Sequence, residues 1–222
     1  MDTNSTSGSR ATTTDLYLVR HGETEYNRRN VVQGAGVDSA INDTGRAQAE
    51  ALSRRFAPVG VDRVYASTLR RARQTARIVA RPHQPVTTTY LPELEEMQWG
   101  VFEGEPPSED RDAAMGAIKE RWRAGEYDYA VEGGESIRDV EGRARRALDQ
   151  IVSRERGRTV VVVTHGRYLR VLLGSALSAY SLDDMHALDH SNTCVNRVRY
   201  RQGEFRADLL NCTAHLSASA AA

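Results

Sequence analysis

The stretch LYLVRHG, residues 16–22, begins as an apolar strand and ends in two polar side chains and a glycine. A second stretch, VVVTHG at residues 161–166, repeats this pattern. Short, continuously apolar runs are typical of strands buried on both faces of a parallel sheet. In open α/β sheets the ligand lies at the carboxyl ends of the strands. If the two strands are neighbours, the imidazoles of His21 and His165 would therefore lie in one crevice.

Extended and helical patterns alternate along most of the chain. Strands are predicted at residues 15–20, 61–66, 86–90 and 159–163. Helical spacing of apolar residues predicts helices after an N-cap at Thr44, after Ser67, at residues 113–123 and at residues 137–152. Near the end, residues 194–200 and 204–210 flank a Gln202-Gly203 turn and indicate an antiparallel hairpin. These patterns predict an α/β fold, a three-layer α/β/α sandwich with a mainly parallel central sheet and the hairpin at its edge.

The length of 222 residues predicts one domain with a full hydrophobic core. We place this domain at residues 15–213, between tails at 1–14 and 214–222 whose polar or small residues suggest disorder. Residues 104–133 are rich in Glu, Pro and Gly around one helix, which predicts an excursion that caps the ligand pocket. The predicted edge hairpin could also be an interface for a homodimer.

Charge and cysteine content exclude several classes of protein. Thirty Lys and Arg balance thirty Asp and Glu, so nothing recruits the chain as a whole to nucleic acid or to an anionic membrane. Two cysteines are too few for a disulfide scaffold. The first residues lack the apolar core of a signal peptide, and no apolar run approaches the ~18 residues of a membrane span. A cytoplasmic protein is expected.

Two histidines and Arg20 at the carboxyl ends of neighbouring strands could bind a tetrahedral dianion. A neutral imidazole is a competent nucleophile near neutral pH when its other nitrogen is held as a hydrogen-bond donor. An arginine and a second, protonated histidine would stabilise the charge of a transferring phosphoryl group. The residues alone therefore point to phosphoryl transfer, which also needs a proton donor for the leaving oxygen.

Four motifs in order resemble those of a known family. RHGETEYN at 20–27 is similar to the RHGxTxxN signature of the histidine phosphatase superfamily, also called the phosphoglycerate mutase-like family. STLRRARQTA at 67–76 resembles its SxLxRAxQTA segment, and LEEMQWGVFEG at 94–104 resembles its LxExxxGxxEG segment. THG at 164–166 matches its second histidine motif. Together the four motifs span most of the predicted domain and indicate a member of this superfamily, and the region after Gly104 favours the phosphatase type.

The resemblance implies a role for each matched residue. His21 would be the nucleophile that becomes phosphohistidine, and Glu96 would protonate the leaving group and then activate water. His165 would assist at the transferring phosphoryl group. The implied phosphate-binding residues are Arg20, Arg71, Asn27 and Gly166, together with His165. Gln33 and Gly34 would face the substrate, and neither a metal nor another cofactor is expected.

Several assignments have competitors in the sequence. Glu93, Glu95 and Glu103 compete with Glu96 for the role of acid, and Arg70 competes with the adjacent Arg71. His186 and His190 stand four residues apart and could mimic a helical metal pair, but without further ligands a surface or loop position is favoured. The aromatic residues Trp122, Tyr127 and Tyr129 either line the substrate pocket or pack the helix of the cap.

The function predicted from this resemblance is hydrolysis of a small phosphorylated metabolite by a metal-independent phosphomonoesterase. A cofactor-dependent phosphoglycerate mutase is the alternative, disfavoured because the region after Gly104 lacks the arginine- and proline-rich segment associated with such mutases. A catalytically inactive binding or scaffold protein of the same fold is a third hypothesis. It would require a missing catalytic group, and none of the expected groups is missing.

Overall fold

A six-stranded sheet forms the centre of the protein in the computed structural model, which describes residues 12–217. The strands are β1 (Thr14–Arg20), β2 (Arg63–Ser67), β3 (Thr87–Leu91), β4 (Thr159–Thr164), β5 (Val195–Arg201) and β6 (Glu204–Cys212). Their order is β3-β2-β4-β1-β5-β6; the first four run parallel, whereas β5 and β6 are antiparallel neighbours at the edge. The predicted mainly parallel sheet with a C-terminal hairpin is confirmed.

Helices cover both faces of the sheet. They are α1 (Glu25–Arg28), α2 (Asp43–Phe56), α3 (Arg70–Ala80), α4 (Glu109–Arg123), α5 (Ile137–Arg154), α6 (Gly166–Ala176) and α7 (Ala214–Ser217). Helices α2 and α3 pack together on one face, and α5 and α6 pack together on the other. The three-layer arrangement follows from this division. Within residues 12–217, no helix combines the length and the apolar character needed to cross a membrane.

The strands β1 and β4 are direct neighbours at the centre of the sheet. Val162 and Leu18 lie in the core with α5 and α6, whereas Val163 and Val19 lie in the core with α2 and α3. Side chains that alternate between two buried faces explain why both strands are apolar at nearly every position. The pairing brings the carboxyl ends of both strands, and the residues that follow them, to the same end of the sheet.

The starts of α2 and α4 differ from the sequence prediction, and α6 is an additional helix. The N-cap of α2 is Asn42, not Thr44, because the Asn42 side chain accepts a hydrogen bond from Gly45 N. Helix α4 begins four residues earlier than predicted, after a cap at Ser108. Helix α6 was not predicted at all. It starts at Gly166, directly after the second histidine motif, and six of its eleven residues are buried.

The predicted tails are wrong where they overlap the described residues. Thr14 is buried and begins β1, and Ala214–Ser217 form α7 with His215 buried. Residues 1–11 and 218–222, which hold the rest of both predicted tails, lie outside the described part.

Gly45 allows the loop after β1 to lie directly on the first turn of α2. A Cβ atom built on Gly45 would lie 2.1 Å from Glu23 O, far inside contact distance. Helix propensity alone predicts that Gly45→Ala stabilises the protein by ~1 kcal/mol. We expect the opposite sign, a loss of about 1–3 kcal/mol in the free energy of unfolding, because backbone atoms must move.

The matched control for Gly45→Ala is Gly116→Ala in α4. A Cβ at Gly116 meets no described residue within 4 Å, so helix propensity should act alone and stabilise the protein by up to ~1 kcal/mol. Denaturant unfolding of the two variants measures the sign of the change in the free energy of unfolding for each. Equal stabilisation by both would refute the close packing of Gly45 on the loop.

Candidate active site

A cavity of about 440 Å³ opens at the carboxyl ends of β1 and β4. We call it the His21 cavity. Of the residues predicted from sequence, its lining includes Arg20, His21, Asn27, Gln33, Arg71, Glu96 and Gly166. His165 lies beside it, with its ring centroid 5.1 Å from that of His21. The two histidine motifs thus converge, as the paired strands predicted.

The His21 imidazole is oriented by its own loop. Its Nδ1 lies 2.8 Å from Gly22 O, and because a carbonyl oxygen only accepts, Nδ1 carries the proton and donates it. The lone pair is therefore on Nε2. Burial, reinforced by the charges of Arg71 and Arg20, lowers the pKa of His21 well below its usual range. The ring is neutral near pH 7, as a nucleophile requires.

Several hydrogen bonds hold the loop that carries His21. Gly22 N donates to Thr75 Oγ1 at 3.0 Å, and His21 O accepts from Asn192 Nδ2 at 3.1 Å. Asn27 Oδ1 accepts from Thr24 N and from Asn192 Nδ2, at 3.1 and 3.3 Å. Within residues 12–217 the Asn27 amide nitrogen makes no hydrogen bond, so it remains a donor for a ligand at the cavity wall.

Arg71 and His165 form a buried hydrogen-bonded chain. Arg71 Nε donates to His165 Nδ1 at 3.2 Å, so the proton of the neutral ring lies on Nε2, which donates to Ser67 Oγ at 2.8 Å. Arg71 is fully buried, whereas Arg70 is exposed. The Arg71 guanidinium also donates to Val37 O and Gly34 O.

The sequence-based prediction of a protonated His165 concerns the state in which a phosphoryl group is being transferred. Burial and the adjacent Arg71 lower the pKa of His165 well below its usual range. The ring is therefore neutral without a bound anion. A phosphate dianion would supply the opposite charge that protonation of His165 needs.

Arg20 extends over the start of α6. Its NH1 donates to His190 O at 2.8 Å, while its Nε is buried without a partner in the described chain. A Cβ on Gly166 would lie 3.2 Å from that Nε, so the glycine leaves room for the guanidinium. Burial lowers the pKa of Arg20. An unsatisfied buried donor at a cavity wall is suited to an anionic ligand.

Glu96 is the one carboxylate among the predicted acids that lines the cavity. Its oxygens accept hydrogen bonds from the backbone N–H groups of Met97, Arg167 and Tyr168, at 3.0, 3.1 and 2.9 Å. Two of these donors belong to the first turn of α6, so the helix fixes the orientation of the carboxylate.

The competitors of Glu96 have other partners or positions. Glu95 accepts from the Thr68 hydroxyl, and Glu103 accepts from Trp99 N at 2.9 Å. The Glu103 carboxylate also packs against the backbone of Gly34, where an added Cβ would overlap it. Neither Glu95, Glu103 nor Glu93 lines the cavity.

Arg143, on α5, holds the segment that precedes Glu96 in place. Its guanidinium makes a bidentate ion pair with Glu135, with both N···O distances near 2.8–2.9 Å. It also donates to the carbonyl oxygens of Glu93 and Glu95, at 3.1 and 2.6 Å. Residues 92–94 form a short 3-10 helix, and the Arg143 side chain connects the end of this helix to α5.

The predicted substrate-facing pair divides into two roles. Gln33 lines the cavity, and its Oε1 accepts from Thr24 Oγ1 at 3.1 Å. Gly34 does not line the cavity; its carbonyl oxygen accepts from Arg71 NH2 at 3.1 Å. Gly34 therefore helps to position Arg71.

Sequence reasoning missed part of the cavity wall. His186 and His190, favoured as surface or loop residues, both line the cavity, and His190 is buried. Arg167 and Arg170 of α6 line it as well. Their spacing of three residues on one helix face is the signal that would have revealed them had α6 been recognised. By contrast, the aromatic residues of the predicted cap do not line it: Trp122 and Tyr127 lie in the core, and Tyr129 packs against it.

The described residues offer no alternative metal centre. Within residues 12–217 there is no group of three or more His, Cys, Asp or Glu side chains that could hold a metal ion. His186 and His190 thus lack the further ligands that a metal pair would need.

The family assignment rests on a match over almost the whole domain. The family model described as "Histidine phosphatase superfamily (branch 1)" matches residues 16–213. The chain belongs to this superfamily. The resemblance seen in the four motifs is thereby confirmed, and this histidine phosphatase superfamily member is an enzyme of the phosphatase or mutase type that acts on phosphorylated small molecules.

Relatives of this histidine phosphatase superfamily member include both types. A "Metal-independent phosphoserine phosphatase" from Arabidopsis thaliana is 32% identical over 209 residues, which cover 92% of this chain and 84% of the relative. A "Probable phosphoglycerate mutase GpmB" from Erwinia tasmaniensis is 32% identical over 196 residues, covering 86% and 87%. The solved structure of Bacillus stearothermophilus YhfR matches with a TM-score of 0.83 and 33% identity, covering 91% of this chain and 99% of that one.

The neutral buried histidines make the stability of the protein depend on pH. The unfolded chain takes up protons below ~pH 6.5, whereas folded His21 and His165 resist protonation. The free energy of unfolding should therefore fall as the pH falls below that value, by up to ~1.4 kcal/mol per pH unit for each histidine. Denaturant unfolding without phosphate at about pH 7.5, 6.5 and 5.5 measures this slope.

The comparison that isolates the effect uses His165→Asn. This variant lacks one of the two histidines that resist protonation in the folded state but keeps every carboxylate. Its free energy of unfolding should therefore fall less steeply with falling pH than that of the wild type. Parallel slopes for the two proteins would contradict a neutral His165.

Proposed function

We propose that the protein is a metal-independent phosphomonoesterase that hydrolyses a small phosphorylated metabolite through a phosphohistidine at His21. The observation that supports this most strongly is the state of the His21 ring. Its Nδ1 donates to Gly22 O, its pKa is lowered, and its ring lines a cavity beside two guanidiniums. A neutral, oriented imidazole next to positive charge is suited to attack on a phosphate dianion.

In the first step, the lone pair of His21 Nε2 attacks phosphorus and the bond from phosphorus to the leaving oxygen breaks. The phosphoryl oxygens would be held by Arg20, by Arg71 and by the Asn27 amide. Glu96, in its acid form, donates its proton to the leaving oxygen, so an alcohol departs. The Nδ1 proton stays on the bond to Gly22 O and stabilises the charge that develops on the ring.

In the second step, water replaces the alcohol. Glu96, now a carboxylate, accepts a proton from the water while its oxygen attacks phosphorus, and the phosphorus–nitrogen bond breaks. Inorganic phosphate leaves, His21 is neutral again, and Glu96 carries its proton for the next cycle. The three backbone hydrogen bonds to Glu96 keep the carboxyl group in one position through both steps.

A phosphoglycerate mutase remains the second candidate function, favoured by the relative from Erwinia tasmaniensis. The same site would serve it, with the phosphoryl group returned from His21 to the product. Conversion of phosphoglycerate that appears only after a bisphosphoglycerate is added, with little phosphate release, would favour the mutase.

The direct test is release of phosphate from a panel of phosphomonoesters with and without a chelator such as EDTA. We expect phosphate release in both arms, because no step uses a metal ion. Loss of activity on chelation would refute the metal-independent mechanism. Failure to hydrolyse any ester or an aryl phosphate would favour an inactive binding protein.

A further inference from the structure

The His21 cavity contains a second group of basic side chains, in addition to Arg20 and Arg71. We call it the distal basic cluster: Lys119 and Arg123 of α4, Arg167 and Arg170 of α6, and His186 of the turn that spans Leu182–His186. Among residues 12–217, six Lys and Arg side chains, including Arg20 and Arg71, line this cavity, against the single carboxylate of Glu96. One phosphate dianion does not balance this charge.

Members of the distal basic cluster lie close enough to repel each other. Burial lowers the pKa of Lys119, and the charges of Arg167, Arg170 and Arg123 lower it further. Burial likewise lowers the pKa of Arg167 to about 10, with Arg170 contributing. Positive charges gathered in this way cost free energy in the unliganded protein unless an anion joins them.

Two members of the cluster lack the partners that such charges normally have. Arg123 pairs with Glu120, and Arg170 pairs with Asp189. Within residues 12–217, neither Lys119 nor Arg167 forms an ion pair, and the buried Arg167 NH1 and His186 Nε2 make no hydrogen bond. Buried polar atoms are almost always satisfied, so an unsatisfied guanidinium nitrogen at a cavity wall indicates a ligand group.

One member of the cluster starts beside the group that would protonate the leaving oxygen. Arg167 N donates to Glu96 Oε2, so the Arg167 side chain starts beside the carboxyl group that would protonate the leaving oxygen. The part of the substrate attached to that oxygen must extend past Glu96. Arg167 and Lys119 both line the cavity into which it would extend.

We propose that the distal basic cluster binds a second anionic group, a carboxylate or a second phosphoryl group, carried by the leaving-group portion of the substrate. This inference rests on the proposed function, which defines the leaving-group side. Arg167 offers NH1 to an anionic oxygen, and Lys119 adds a positive charge from α4. A phosphomonoester with a neutral leaving group would leave both without a partner.

The test is binding, measured by calorimetry, to the His21→Ala variant, which cannot turn over its ligand. Three ligands share one carbon chain: 3-hydroxypropyl phosphate, 3-phosphooxypropanoate and propane-1,3-diyl bisphosphate. We expect the carboxylate or the bisphosphate to bind at least about tenfold more tightly than the neutral alcohol. The stronger of the two identifies the second anion, whereas equal affinity for all three ligands would overturn the proposal.

Substitutions in the same background assign the effect to the cluster. Arg167→Gln should remove most of the tenfold preference and leave the affinity for 3-hydroxypropyl phosphate within about twofold. Arg167→Lys should retain part of the preference. Arg146→Gln, an equal charge change on the exposed surface of α5, should change neither affinity.

A purely structural role for Arg167 gives a different result. Its guanidinium lies 5.6 Å from the ring centroid of Trp99 and 5.5 Å from that of Trp122, so the residue could act by stacking alone. In that case Arg167→Gln would weaken all three ligands equally, which would overturn the proposal. Lys119→Gln, at a half-buried position without ion pairs, provides a second variant if Arg167→Gln does not fold.

The outcome is separable from that of the proposed function. Binding to the His21→Ala variant needs no chemistry, so a preference for a second anion can be observed even if the wild type hydrolyses nothing. Conversely, hydrolysis of all three esters at equal efficiency would support the phosphatase and overturn the second anion site.

Discussion

Replacing His21 with alanine is expected to lower kcat for phosphate release by about 10⁴-fold or more, since the attacking atom itself is lost. Wild-type protein quenched during turnover of a ³²P-labelled phosphomonoester should carry acid-labile phosphate, and the variant should carry none. This is the largest effect that the proposed mechanism implies. Equal labelling of both proteins would refute a phosphohistidine at position 21.

The control for this experiment is His83→Ala. His83 lies in the turn Arg81–His83, outside the His21 cavity. Its loss should leave both kcat and labelling within about twofold, because no step of the mechanism involves it. Thermal unfolding of both variants shows whether either change acts through the fold.

Glu96→Gln is expected to separate the two steps of the reaction. With an alkyl phosphate, which needs a proton on its leaving oxygen, we expect kcat to fall by about 10²–10⁴-fold. With 4-nitrophenyl phosphate, whose leaving group departs without a proton, the first step should persist while hydrolysis of the phosphohistidine slows. A rapid burst of nitrophenol equal to the enzyme concentration, followed by a slow steady state, is the expected signature.

The matched control for this variant is Glu95→Gln, the adjacent carboxylate that accepts from Thr68 and does not line the cavity. Glu95→Gln should show no burst of nitrophenol, and its kcat relative to the wild type should be the same for the alkyl phosphate and for 4-nitrophenyl phosphate. If Glu96→Gln slowed both esters by the same factor, the role of Glu96 as general acid would be contradicted.

The centre of the site could be predicted because it depends on strands. His21 and His165 follow apolar runs whose length and composition identify buried parallel strands, and strand pairing then brings the two rings together. The choice of Arg71 over Arg70 came from motif alignment, and burial of Arg71 agrees with it.

The outer wall of the cavity was not predictable in the same way. Arg167 and Arg170 lie on α6, whose mostly apolar sequence merges with the strand before it and conceals the start of a helix. His186 and His190 belong to a turn and a loop, and their positions depend on packing against α6. Such contacts between distant segments leave no periodic pattern in the sequence.

The hydrogen bonds from Arg143 to the carbonyl oxygens of Glu93 and Glu95 connect the segment that precedes Glu96 to α5 and not to α4. Substitutions in these two helices should therefore affect the catalytic geometry differently. The nucleophile His21 and the acid Glu96 depend on the carboxyl ends of the central strands, on α5 and on the start of α6, which contact one another through backbone and side-chain hydrogen bonds. Helix α4 contributes charge to the cavity but none of these contacts. Apart from its buried residues Arg111, Ile118 and Trp122, the sequence of α4 can therefore change, and the charge of the cavity with it, while the phosphoryl-transfer geometry stays intact.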